Sequence, residues 1–159
     1  MDTKVPWAGK EHLIVEVRLT ADGRWLYDGQ EITHRRTVQA MHRGVERWTE
    51  GGRWDWIVRI GGQAYPVVID DTPWLARSAK VVGGQLVLRL NTGEEVAVPA
   101  DDGSIWVADD VVRSRLSDGR EVRLLRTAQG DLADHLVDGN GDSVTLVVGD
   151  RRIPLDISL

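Results

Sequence analysis

Short apolar runs, broken by glycine and aspartate, fill most of the chain. "RWDWIVRI" leads through Gly61-Gly62 into "QAYPVVI", and "LARSAKVV" leads through Gly83-Gly84 into "QLVLRLN". Side chains alternate between faces along a strand, which puts Trp54, Trp56, Val58 and Ile60 on one side. Paired runs closed by such turns predict antiparallel hairpins. Upstream, "LIVEVRL" at 13–19 starts another strand pattern, and Asp-Gly at 22–23 and 28–29 bracket a short strand from Arg24 to Tyr27.

One segment has helical spacing instead. In "HRRTVQAMHRGVERW" the apolar residues Val38, Met41, Val45 and Trp48 recur at intervals of three and four, one narrow stripe on a helix over 34–48. Thr33 is placed to cap it and Glu50-Gly51-Gly52 to end it. His34, Arg35, Arg36, Gln39, His42, Arg43, Glu46 and Arg47 cover the other faces. Gly44 costs about 1 kcal/mol of helix propensity, which suggests a close packing contact.

The best internal boundary is "PADDGS" at 99–104, dividing the chain into 1–100 and a smaller β-rich part, 101–159. Beyond it come "IWVAD", "VVRSRL" and "EVRLLR", a helical "DLADHLV", and a closing hairpin of "SVTLVVG" and "RIPLDI". The pattern predicts an α+β chain, mostly antiparallel, with one main helix on a meander sheet.

Composition narrows the chemistry. The chain has no Cys, which removes thiolate catalysis, zinc fingers and disulfides. Seven Trp and no Phe leave aromatic packing to indoles. A net charge of −5 gives no reason to expect nucleic acid as partner. No basic start followed by an apolar core stands at the amino terminus, and no run of roughly 18 apolar residues occurs. The expectation is a cytoplasmic chain with no membrane partner.

Candidate chemistry is sparse. Asp70-Asp71 ends the strand "YPVVI". Neighbouring strand residues point apart, so the pair reads first as a strand exit capped with Thr72-Pro73, and second as a ligand-contacting corner with Trp74. "DGNGDS" at 138–143 imitates a calcium loop but has Ser143 where Gly is needed and Gly149 where Glu is needed; Asn140-Gly141 reads as a hairpin turn. His12, His34, His42 and His135 have no metal-ligand spacing. Arg35, Arg36, Arg43 and Arg47 make the one basic face, either solvated or gripping an anion. No phosphate loop, nucleophile elbow or kinase signature is present.

Several of these stretches together resemble a bacterial family, domain of unknown function 1285. They are "DGRWLYDGQEI", a helix, the hairpin ending "VVIDDTPWLA", and "VVGGQLVLRLNTGEEV" with its Asn91–Glu95 turn. The resemblance covers residues 14 to 100 and continues by order of elements, to Trp106 and the closing Pro154-Leu155. It implies an α/β roll followed by a small β roll, and brings no activity, cofactor or catalytic residue.

The reading is therefore a non-enzymatic binding or regulatory module, a monomer or homodimer, with an unidentified protein or small molecule as partner and no cofactor. Its candidate ligand contacts are Asp70, Asp71, Trp74, Arg35, Arg36 and Arg43. The alternative is a small-molecule sensor or enzyme with its site near Asp70-Asp71. An enclosed cavity of several hundred Å³ with converging polar groups would favour the alternative.

Overall fold

The structure is a computed structural model that describes residues 15–48, 55–101, 103–138 and 144–158. Trp54, His12, the helix stop at 50–52 and the Asn140-Gly141 turn lie outside the described residues. The fold is α+β, with fifteen strands and two helices among the described residues.

The chain divides into two compact units, Met1–Pro73 and Trp74–Leu159. The division falls at the Asp-Asp-Thr-Pro corner and not at residue 100. "PADDGS" is a clamped turn: the Ser104 hydroxyl donates to the carbonyls of Pro99 (2.6 Å) and Asp101 (2.8 Å). Residues 75–98 also belong to the sheet of the second unit, because Leu75 pairs with Arg123.

The first unit holds β1 (Val17–Leu19), β2 (Trp25–Tyr27), β3 (Gln30–Glu31), α1 (Arg35–Gly44), β4 (Val45–Arg47), β5 (Trp56–Ile60) and β6 (Gln63–Ile69). Its sheet order is β3-β2-β1-β6-β5-β4. The β5–β6 hairpin turns at Gly61-Gly62 as its sequence demands. The meander expectation fails at the centre, where β1 runs parallel to β6 with Arg18 opposite Val68. A local turn cannot make that pairing, and the chain reaches it through β2, β3, α1, β4 and β5.

Helix α1 is shorter than its apolar spacing predicts. It stops at Gly44, and Val45 enters a strand paired with Val58. The cap is His34, whose side chain accepts from the Thr37 amide, and not Thr33. Val38, Met41 and Val45 join Trp56, Val58 and Ile60 in one core with Leu19, Trp25 and Val67. Trp48 leaves that stripe and packs with Ile57 and Ala64. His42, assigned by spacing to the polar face, is 3% exposed and accepts the Trp25 indole N–H at Nδ1, 3.1 Å away.

The second unit holds β7 (Leu75–Val82), β8 (Gln85–Leu90), β9 (Glu95–Ala97), β10 (Ile105–Ala108), β11 (Val111–Arg115) and β12 (Glu121–Leu124). After them come α2 (Arg126–Ala133), β13 (Leu136–Asp138), β14 (Val144–Val148) and β15 (Arg151–Ser158). Its sheet order is β13-β14-β15-β10-β11-β12-β7-β8-β9. Two of those pairings are parallel, β10 with β15 and β12 with β7. Helix α2 starts before "DLADHLV", and the last two residues of that stretch, Leu136 and Val137, are strand.

Strand β7 has an irregularity between Ala76 and Ser78, and α2 supplies the partners that ladder bonds do not. The Thr127 hydroxyl donates to the Arg77 carbonyl (2.6 Å), and Asp131 accepts from the Ala79 amide (3.0 Å). Ala128 and Leu132 on the same helix are buried among Leu88, Leu90, Val122, Leu124 and Leu146.

Candidate functional site

Asp70 directly follows β6, and its amide donates to the Leu19 carbonyl (3.0 Å) beside the parallel β1–β6 pairing. Its carboxylate takes a hydrogen bond from the Arg18 guanidinium, which also donates to Glu16 at 3.0 Å. Those contacts hold Glu16 below the usual carboxylate range, chiefly through the Arg18 bond, and raise Arg18. The described partner of Asp70 is thus a cross-strand guanidinium and not a turn amide. Asp71 is half-buried and Thr72 is buried at 7% exposure. Asp70 sits in an exposed ion-pair cluster, where solvent screening leaves such pairs worth little.

Arg35, Arg36 and Arg43 are exposed on α1. Arg35 and Arg36 stand in the first turn, where the helix dipole disfavours cations, and the first turn has no acidic residue. Arg47 is drawn off that face, with its Cζ 5.5 Å from the centre of the Trp56 ring.

Trp74 opens the second unit and is half-buried beneath Arg120, whose Cζ lies 5.6 Å from the ring centre. Arg120 grips Glu94 with two nitrogens (3.0 and 3.1 Å) and Asp118 with a third (2.8 Å). The Arg120 bond holds Glu94 low, the Arg120 backbone N–H holds Asp118 low, and Glu94 in turn raises Arg120. Asn91 ties the same region together, accepting the Leu75 amide on its side-chain oxygen (3.0 Å) and donating its own amide to the Leu75 carbonyl (2.8 Å). The Arg120 guanidinium, the Glu94 and Asp118 carboxylates and the Asn91 side-chain oxygen all bond to protein groups, so the cluster locks turns.

A cleft of about 230 Å³ lies elsewhere in the second unit. Its floor is buried and apolar, formed by Leu86, Val98, Val148 and Ile153. Gln85, Ala97, Ala100, Ser117 and Arg151 form an exposed rim. One end is closed where the β7–β8 and β14–β15 turns meet: a Cβ on Gly149 would lie 3.0 Å from the Gly84 Cα. Gly149 (φ +59°) and Gly84 (φ +75°) both occupy left-handed backbone, so glycine suits both positions. Arg151 forms no ion pair among the described residues and is the one charged side chain on the lining.

None of the six residues singled out by sequence lines this cleft, and the structure does not gather them at any other pocket described. The cleft residues come from four separated stretches that only the folded sheet brings together. The signal available in sequence was indirect: glycine turns at both hairpin ends beside the apolar run "VAVPA". Among the described residues no three His, Asp or Glu side chains cluster as metal ligands. No described helix is long and apolar enough to cross a membrane.

No protein-family model matches the chain, and no curated protein matches it significantly. Two solved structures are similar. A DUF1285 family protein from Silicibacter pomeroyi DSS-3 aligns with a TM-score of 0.64 at 17% identity, over 98% of this chain and 90% of that one. A DUF1285 family protein from Shewanella baltica OS155 aligns at 0.54 and 16% identity, over 76% of this chain and 92% of that one. The chain has a DUF1285-like fold, as its sequence resemblance implies, and the similarity carries no specific role.

Proposed function

We propose that the chain is a non-enzymatic binding module and that its recognition site is the cleft of the second unit. On this reading the two units are the α/β roll and the β roll that the family resemblance implies. The observation that carries the proposal is the cleft lining: an apolar floor, one cation at the rim and no acid–base pair. A proton-transfer site needs two titratable groups in reach of one atom. At about 230 Å³ the cleft is smaller than the ~300–1,000 Å³ typical of small-molecule sites, and it fits an apolar side chain of a larger partner. The net charge of −5 makes that partner a polypeptide in preference to nucleic acid.

Isovalerate, a branched apolar tail with a carboxylate, is the test probe. Calorimetric titration of the full chain should give saturable binding, weakened strongly by Ala100→Leu, which fills the cleft, and unaffected by Asp70→Asn. Binding that survives Ala100→Leu and fails in Asp70→Asn would move the site to the acidic corner and overturn the proposal.

A further inference from the structure

Strand β9 is the last strand of the nine-stranded sheet and, among the described residues, pairs only with β8. Leu90 N–H donates to the Glu94 carbonyl and Val98 N–H to the Leu86 carbonyl. Hydrogen bonding alternates along an antiparallel strand, so residues 94, 96 and 98 face β8 and the backbone groups of Glu95 and Ala97 face outward. Those outward groups have no partner among the described residues. Ala97 also lines the cleft.

The geometry points to β9 as the docking edge for an extended peptide of a partner protein, which adds a strand along Glu95–Ala97. This inference rests on the cleft being the recognition site. In strand addition, main-chain bonds supply affinity and pockets beneath alternate side chains supply specificity. Here the floor of Leu86, Val98, Val148 and Ile153 receives one apolar side chain. Arg151, without an ion-pair partner among the described residues, calls for an acidic side chain in the same peptide. The edge is short: Pro99 has no N–H to continue it, and its carbonyl is already taken by Ser104. The peptide is therefore held over a few residues, and a long hydrophobic strand is not accommodated.

The bland explanation of β9 is that a three-residue edge ending near a proline is simply protected against aggregation. That explanation accounts for its length. It does not account for an open apolar cleft with an exposed arginine on its rim.

The test uses the full-length ¹⁵N-labelled chain and an end-blocked seven-residue peptide of alternating valine and threonine carrying one aspartate. Binding should slow hydrogen exchange at the Ala97 amide and shift the cleft amides. Ala97→Pro, which removes an N–H that faces away from β8, and Arg151→Gln should each weaken binding about tenfold or more, the scale of a lost charge-assisted bond or of disrupted strand pairing. If cleft amides shift while Ala97 exchange and the Ala97→Pro affinity stay unchanged, strand addition is overturned and the cleft remains a binding site. If neither the peptide nor isovalerate perturbs the cleft, both readings fall.

Discussion

Gly44 lies against the Arg59 carbonyl so closely that a Cβ at position 44 would sit 2.2 Å from that oxygen. The neighbouring atom is backbone in the middle of β5, so it cannot swing aside. Helix α1 ends at this residue, and the following strand β4 pairs with β5, which carries Arg59. Gly44→Ala should raise helix propensity by about 1 kcal/mol and still destabilise the chain by roughly 1–3 kcal/mol, because overpacking dominates. Denaturant melts of the two proteins check this; a more stable variant would show that the helix and β5 move apart freely.

The hairpins were legible in sequence because each is closed by residues a few positions apart. Gly61-Gly62 and Gly83-Gly84 stand where their residues place them. The Gly44 contact was legible too, as a glycine without reason in a helix. What sequence could not show is non-local. Arg18 beside Val68, Leu75 beside Arg123 and Trp106 beside Asp156 are parallel pairings with no local turn to announce them. The same limit hid the cleft, where the ends of two distant hairpins meet at Gly84 and Gly149. It also misplaced the unit boundary, because residues 75–98 are held by strands that follow residue 100.

Acid should loosen the second unit through Arg120. Glu94 and Asp118 are both held below their ordinary values in the folded chain, by the Arg120 side-chain bond and the Arg120 backbone N–H respectively. The unfolded chain therefore takes up protons first as pH falls. The stabilisation is complete at neutral pH, declines through the ordinary carboxylate range near pH 4, and is gone below the folded values. Arg120→Met should lower the melting temperature at pH 7 and flatten its fall toward pH 3.5, with the two proteins converging in acid. An undiminished acid slope in Arg120→Met would place the acid-sensitive groups elsewhere. Because Glu94 and Asp118 are well exposed, the effect should also shrink in high salt.

Ser114 is fully buried in β11, and its hydroxyl has no hydrogen-bond partner among the described residues. An unsatisfied buried hydroxyl costs about 1–3 kcal/mol, whereas alanine leaves only a small void. Ser114→Ala should therefore be neutral or more stable by thermal melt. A clear loss of stability would mean that the hydroxyl is satisfied by a bound water.

The central claim is that recognition occurs at the cleft of the second unit and not at Asp70-Asp71 or the α1 arginines. The most direct measurement is an amide perturbation map of the ¹⁵N-labelled full chain titrated with isovalerate. The account predicts shifts centred on Leu86, Val98, Val148, Arg151 and Ile153, while Asp70, Asp71, Arg35, Arg36 and Arg43 stay still. Shifts confined to the acidic corner or the helix, with the cleft silent, would contradict it.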